Sequence, residues 1–184
     1  MNYTKMYNTI YDKGYRKLRK NINTKPLDWL LSSYMFENIL DVGCSYGENV
    51  KYFQSEGVDA CGIEVAEKPL EKSVAENCVR GTALGIPFNT NEFEAVISTD
   101  VLEHIHVEDL RCVINEIYRV ATKFVFIKVS TRLEKQKQWA KILNMPQIHL
   151  TVMPIENWIS LFLEYRQFVL VEIKYNFLVF KVVK

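Results

Sequence analysis

Asn38-Ile-Leu-Asp-Val-Gly-Cys-Ser-Tyr-Gly47 is the stretch whose reading decides the fold. Its first half is a short apolar run that stops at a glycine, the pattern of a buried strand. Gly43 and Gly47 let the backbone turn sharply and approach a ligand closely. Glu48 to Glu56 follows with Val50 and Phe53 on one helical face and ends at Gly57. The free N–H groups at the start of such a helix favour an anionic or polar group. Strand, glycine loop and helix in that order predict the opening of an α/β nucleotide-binding unit.

Working outward, the same alternation continues. Asp59-Ala-Cys-Gly-Ile-Glu64 reads as a second strand, 69–77 as a helix, Cys78-Val-Arg80 as a third strand and Glu94–Ser98 as a fourth. Residues 107–120 form a helix with Leu110, Val113, Ile114 and Ile117 on one face, and 123–129 a fifth strand. Upstream, 3–20 and 26–35 read as helices, the second entered at Pro26. Strands alternating with helices imply βαβ units, a parallel sheet and right-handed crossovers. The tail departs from this. After a helix over 156–165, Phe168–Tyr175 and Phe177–Val183 run almost back to back with only Asn176 and its neighbours to turn on. Strands so joined must be antiparallel, because a parallel pair needs a long crossover. The expected fold is therefore α/β: a doubly wound, seven-stranded sheet, mostly parallel, with an antiparallel C-terminal hairpin and helices on both faces.

Composition sets outer limits. The 184 residues suit one domain, with 1–35 expected as an N-terminal helical lid and 130–167 as a substrate-side insertion. Hydrophobic residues at 48% and charged residues at 24% are those of a globular protein that builds its own core. No apolar run approaches the ~20 residues of a membrane span, and Met1–Lys20 lacks a signal-peptide core. Cys44, Cys61, Cys78 and Cys112 are scattered without a CxxC pair, which argues against structural zinc and for a reducing, cytoplasmic location. A net charge of +1 gives no global case for nucleic acid. Lys13, Arg16, Lys17, Arg19 and Lys20 form one local basic stretch, a solvated helix face or a phosphate-contacting arm.

Glu64 ends the second strand, where a carboxylate can accept both hydroxyls of a ribose. Two other readings of the glycine loop are weaker. Gly43-Cys-Ser-Tyr-Gly47 matches the G-x-S-x-G elbow of α/β hydrolases, but that elbow follows several strands, and the residues before Gly43 are mostly helical in pattern. A nicotinamide site wants G-x-G-x-x-G, which is not present here.

Ile39–Gly47 resembles motif I of class I S-adenosylmethionine-dependent methyltransferases, of the small methyltransferase-11 type. Gly81-Thr-Ala-Leu-Gly-Ile-Pro-Phe88 and Phe93-Glu-Ala-Val-Ile-Ser-Thr-Asp-Val-Leu-Glu-His-Ile105 resemble that family's adenine-binding and motif IV segments. The resemblance implies S-adenosylmethionine as cofactor. It implies that Asp41, Gly43, Cys44, Ser45 and Gly47 hold the methionine part, that Glu64 and Val65 hold the ribose, and that Thr82, Ala83 and Leu84 flank adenine. Ser98 and Thr99 stand at the same strand edge, and Tyr11 and Tyr15 on the N-terminal helix are expected to fold over the cofactor. Relatives often carry aspartate where Thr82 stands, and Ser45 replaces a common glycine.

Methyl transfer is an in-line displacement in which the protein supplies position and proton handling. Asp100 and His104 are four apart and would share a face on a helical turn beside the methyl group, with His104 as base and Asp100 as its orienter or electrostatic partner. His149, in a polar loop between two prolines, is a candidate substrate wall or second base. His106 and Glu108 follow His104 closely, but no ligand triad is evident and no metal is expected. Trp158 is expected in the core. Short substrate-shaping segments leave a cleft open to the end of a larger molecule, and His149–Trp158 loosely resembles a stretch in methyltransferases of surface-polysaccharide synthesis. The expected acceptor is a sugar hydroxyl in a glycan or glycan precursor. The alternatives are a free amine or carboxylate, a nucleic-acid-directed module, or a cofactor-binding domain without turnover. The strand edge of the tail offers a surface for a homodimer.

Overall fold

The computed structural model describes residues 1–15, 22–133 and 137–184. In chain order the elements are α1 (Tyr3–Asp12), α2 (Lys25–Ser33), β1 (Asn38–Val42), α3 (Glu48–Ser55), β2 (Asp59–Glu64), α4 (Glu67–Glu71), β3 (Cys78–Arg80), β4 (Phe93–Thr99), α5 (Leu110–Val120), β5 (Ala121–Lys128), α6 (Gln138–Ile142), α7 (Ile155–Leu163), β6 (Phe168–Lys174) and β7 (Phe177–Val182). The strands form one seven-stranded sheet in the order β3-β2-β1-β4-β5-β7-β6. β1 to β5 pair in parallel, and β7 is antiparallel to both β5 and β6. This is the expected doubly wound architecture.

The central strands read as continuous apolar runs because both faces are covered. On one face Leu40, Val42, Val96, Val125 and Ile127 pack with Leu110, Val113, Ile114 and Ile117 of α5 and with Trp158 and Phe162 of α7. On the other, Ile39, Ala95, Ile97 and Phe126 pack with Leu27 and Leu30 of α2 and with Val50 and Phe53 of α3. Neighbours in one strand thus serve opposite cores, as a period of two requires. Trp158 is fully buried, as expected. The hairpin turns on Tyr175 and Asn176, both at positive φ (51° and 65°), a two-residue turn whose twist matches its strands. β6 is an edge strand and leaves Val169, Val171 and Ile173 exposed.

Three boundaries differ from the sequence reading. α1 stops at Asp12, ahead of Gly14 at φ +85°, so the helix expected over 3–20 is shorter; Arg16, Lys17, Arg19 and Lys20 lie outside the described residues. α4 ends at Glu71 rather than 77. There the Ser73 hydroxyl bonds both the N–H and the C=O of Ala75, a local alternative to helix. α2, expected as part of a lid, packs into the core beneath the sheet, and only α1 lies over the strand ends.

The strand order reverses between β1 and its neighbours β2 and β4, which opens a crevice at their carboxyl ends, where open α/β sheets bind ligands.

Candidate active site

A cavity of about 590 Å³ fills that crevice, within the ~300–1,000 Å³ usual for small-molecule sites. Its floor is the turn after β1. The N–H groups of Gly43 and Cys44 both donate to the Ile63 carbonyl, at 2.8 and 2.9 Å, which locks the loop to the end of β2. Gly43 lies at φ +84°, and a Cβ there would stand 2.4 Å from a Val101 methyl. Only glycine satisfies both conditions. Ser45, itself at φ 52°, donates its N–H to Glu64 Oε2 at 3.0 Å, and the other Glu64 oxygen accepts from Ala66 N–H at 2.9 Å. The acid at the end of β2 therefore holds the loop as well as facing the cavity.

The roof is α1. Tyr3, Tyr7, Tyr11 and Tyr15 recur every four residues and all four line the cavity. The Tyr11 hydroxyl is 2.9 Å from Ser45 Oγ, and the Tyr3 hydroxyl donates to Asp109 at 2.6 Å while accepting His106 N–H. Tyr15 meets Trp139 of α6 edge-on at 5.3 Å. Lys68 of α4 grips Asp12 at 3.2 Å, fixing the far end of α1. Sequence reasoning named Tyr11 and Tyr15 but not Tyr3 and Tyr7; the spacing of four was the available signal.

Of the other expected cofactor residues, Val65, Thr82, Ala83 and Thr99 also line the cavity. Asp41, Cys44, Gly47, Leu84 and Ser98 do not; they stand behind its wall. Asp41 is buried and accepts from Asn49 at 3.3 Å. Ser98 Oγ donates to the Val42 carbonyl at 3.1 Å and ties β4 to β1. Cys44 is buried against Gly62 and hydrogen-bonds Cys78, and Gly47 at φ 76° starts α3 with Cys78 and Ser73 crowding its Cα. Thr82 accepts Leu84 N–H at 3.2 Å within its own turn.

At the opposite end stand the residues expected to do chemistry. Asp100 and His104 both line the cavity and no hydrogen bond joins them, although the Asp100 charge acts on the His104 ring. Asp100 lies at φ 56° on the end of β4, outside any helix, and its carboxylate pairs with Lys128 at 3.0 Å. His104 belongs to a 3₁₀ turn over Leu102–His104, and its Nδ1 lies 3.0 Å from the Ile148 carbonyl. A carbonyl only accepts, so Nδ1 carries the proton and Nε2 the lone pair. Burial pushes the ring's pKa down to about 4, so His104 is neutral near pH 7. His149 sits edge-on to it, with ring centroids 4.8 Å apart, and its Nδ1 is 2.9 Å from the Arg132 carbonyl. The two histidines meet because residues 148–151 are strapped along 103–105: Thr151 N–H donates to Glu103 and its hydroxyl to Ile105.

The sequence places Glu103 beside Asp100 and His104 but gives it no chemical role of its own. Glu103 is 1% exposed, and Ser130 N–H holds its Oε1 at 3.1 Å while its Oε2 has no hydrogen-bond partner among the described residues. Burial pushes its pKa up to about 7. His106, half-buried, and the exposed Glu108 lie 3.7 Å apart at the surface.

A glycine turn after β1, an acid at the end of β2 and an antiparallel final strand define the class: this is an S-adenosylmethionine-dependent class I methyltransferase. Residues 40–124 match the family model of the methyltransferase domain, Methyltransf_11. Many solved structures share the fold. The PH0226 protein of Pyrococcus horikoshii OT3 is 17% identical, with a TM-score of 0.70 over 86% of this chain and 89% of its own. The 1,6-didemethyltoxoflavin-N1-methyltransferase of Burkholderia thailandensis, solved with that substrate and S-adenosylhomocysteine, is 13% identical, with a TM-score of 0.71 over 100% of this chain and 88% of its own. The phosphoethanolamine N-methyltransferase 2 of Haemonchus contortus, solved with phosphomonomethylethanolamine and S-adenosylhomocysteine, is 18% identical, with a TM-score of 0.61 over 79% of this chain and 37% of its own. No curated protein matches the chain. Among the described residues no helix is long and apolar enough to cross a membrane.

S-adenosylmethionine fits the cavity as built. The volume is adequate, the floor is polar backbone, the buried Glu64 carboxylate faces the cavity, and among the described residues the buried Tyr7 hydroxyl has no hydrogen-bond partner.

Proposed function

We propose that this methyltransferase acts on an oxygen acceptor, a sugar hydroxyl in a glycan or glycan precursor, in the cytoplasm. The carrying observation is the cluster of Glu103, His104 and His149 at one end of the cavity. An amine attacks as its free base, whereas a hydroxyl needs its proton removed, and the imidazoles of His104 and His149 beside Glu103 are groups that can assist. The surroundings also suit a sugar. Asp100, Ser130 and Arg132 offer hydrogen bonds to hydroxyls, and Tyr3 and Tyr7 offer ring faces to the C–H side. Four free cysteines fit a reducing compartment.

In this reading Glu64 accepts the ribose hydroxyls, the N–H groups of the 43–45 turn bind the amino-acid end, and Val65, Thr82 and Ala83 flank the base. Bound S-adenosylmethionine supplies a methyl group activated by a positive sulfur. The protein's own work is to bring the acceptor oxygen in line under α1 and to assist loss of its hydroxyl proton at the end of the cavity where Glu103, His104 and His149 stand. Asp100 holds Lys128, and that pair orients polar groups of the acceptor.

Incubation with methyl-labelled cofactor tests this against nucleotide sugars, oligosaccharides, small amines and carboxylic acids. Base-stable label in a sugar fraction is expected. Label confined to amines or carboxylic acids would sink the assignment and favour a free small molecule, the kind of ligand bound in the Burkholderia and Haemonchus enzymes.

A further inference from the structure

We infer that Glu103, His104 and His149 bind a divalent transition-metal ion at the acceptor end of the cavity, and that this ion ionises the acceptor hydroxyl. The inference rests on the oxygen-acceptor reading for its chemistry but on the geometry alone for the site.

One ligand atom from each of the three residues lies within 4.8 Å of the others. The tautomers leave one nitrogen of each ring able to bind a metal. Both rings present Nδ1 to a backbone carbonyl, Ile148 for His104 and Arg132 for His149, which leaves both Nε2 lone pairs for a third party. Imidazoles that bind metals are held in this way, with the second nitrogen donating to a carbonyl or carboxylate.

Glu103 supplies the independent observation. Among the described residues its Oε2 is buried without a hydrogen-bond donor, while its Oε1 is fixed by Ser130 N–H. A buried carboxylate oxygen calls for a cation or a donor. Lys128, which could provide one, is paired with Asp100. A divalent ion meets the orphan oxygen and both lone pairs at once.

The donor set points to the class of ion. Two imidazoles and one carboxylate with open positions suit zinc, manganese or iron(II), rather than calcium or magnesium. Ligands ~2.1 Å from a tetrahedral ion lie about 3.4 Å apart, so the cluster closes by at most ~1.4 Å on binding. His149, on a loop, can supply most of that movement.

With the ion in place His104 serves as a ligand, and the acceptor hydroxyl occupies an open position. Its O–H bond breaks, the electron pair stays on oxygen and the proton leaves to water. That pair then forms the bond from oxygen to methyl as the bond from sulfur to methyl breaks, leaving neutral sulfur.

The test uses the full chain, freed of metal by chelation. Titration with Zn²⁺ by calorimetry, and with Co²⁺ by visible absorption, is expected to show one ion per chain and a ligand-field band. His149→Gln and Glu103→Gln are each expected to weaken Zn²⁺ binding at least tenfold. S-adenosylhomocysteine is titrated into the same samples. A folded wild type that binds S-adenosylhomocysteine but gives neither Zn²⁺ heat nor a Co²⁺ band overturns the metal site and leaves the methyltransferase intact. Metal binding without any labelled sugar overturns the acceptor instead. If a variant fails to fold, the wild-type Co²⁺ spectrum decides, since imidazole nitrogen and carboxylate oxygen ligands give a band that adventitious surface binding does not.

Discussion

Glu64→Gln isolates the double role of the acid at the end of β2. The side chain is 6% exposed, and its two oxygens accept from Ser45 N–H at 3.0 Å and Ala66 N–H at 2.9 Å. Glutamine keeps the shape but turns one oxygen into an NH₂ donor. Whichever way the amide lies, that donor faces one of the two backbone N–H groups. The variant loses one charge-assisted bond, about 1.5–3 kcal/mol, and strands a buried N–H, about 1–3 kcal/mol; these overlap, so the net loss is ~2–4 kcal/mol. At ~2–4 °C per kcal/mol for a chain of this size, Tm falls by about 4–16 °C. Affinity for S-adenosylhomocysteine falls at least about tenfold, because a neutral amide cannot accept both ribose hydroxyls at carboxylate strength. Thermal denaturation followed by circular dichroism reads the first effect, and calorimetry the second. A variant within 2 °C of wild type and within threefold in Kd would refute the idea that this carboxylate holds both loop and ribose.

Three further outcomes follow from other contacts. Gly43→Ala places a methyl 2.4 Å from Val101 at φ +84°, and urea unfolding should show a loss above the ~1–2 kcal/mol of the left-handed conformation alone. Adding Val101→Ala should recover the excess; no recovery means the crowding lies elsewhere. The hydrogen bond from Cys44 holds the Cys78 thiol down to about 7, so its alkylation by iodoacetamide should rise through neutral pH. Cys44→Ala should move that midpoint upward, towards the ordinary thiol range of ~8.5, and an unmoved midpoint removes the pairing. Because the Cys78 pKa is depressed on folding, its contribution to stability is fully present above the unfolded value and is lost as pH falls through about 7. Tyr11→Phe removes the hydroxyl contact to Ser45, worth ~0.5–1.5 kcal/mol, and should lower Tm by about 1–6 °C; an unchanged Tm would show that α1 is held without it.

Much of the fold was legible in one dimension because its signals are local. A strand buried on both faces is a short apolar run, the sharp turn after it is marked by Gly43, and two strands joined by two residues can pair only antiparallel. Ile39–Gly47 therefore announced β1 and its turn, Glu64 its partner, and Tyr175-Asn176 the hairpin. The end of α4 was not legible, because Ser73 chooses between helix and its own turn on slender margins. The site divides the same way. Gly43, Ser45 and Glu64 sit on one βαβ unit, so their meeting follows from local order. Asp100 and His104 were paired by assuming a helical turn, whereas positive φ at Asp100 sends its carboxylate to Lys128.

What the sequence determined by itself was the class of sheet, its polarity and the end at which a ligand binds, since these depend on periodicity and turn length. What only the tertiary structure decided was which side chains share the chemistry. Glu103 and His149 are far apart in the chain and come together because residues 148–151 hydrogen-bond along 103–105. Whether a buried carboxylate oxygen keeps or lacks a partner is likewise settled by packing from every side, which no stretch of sequence contains.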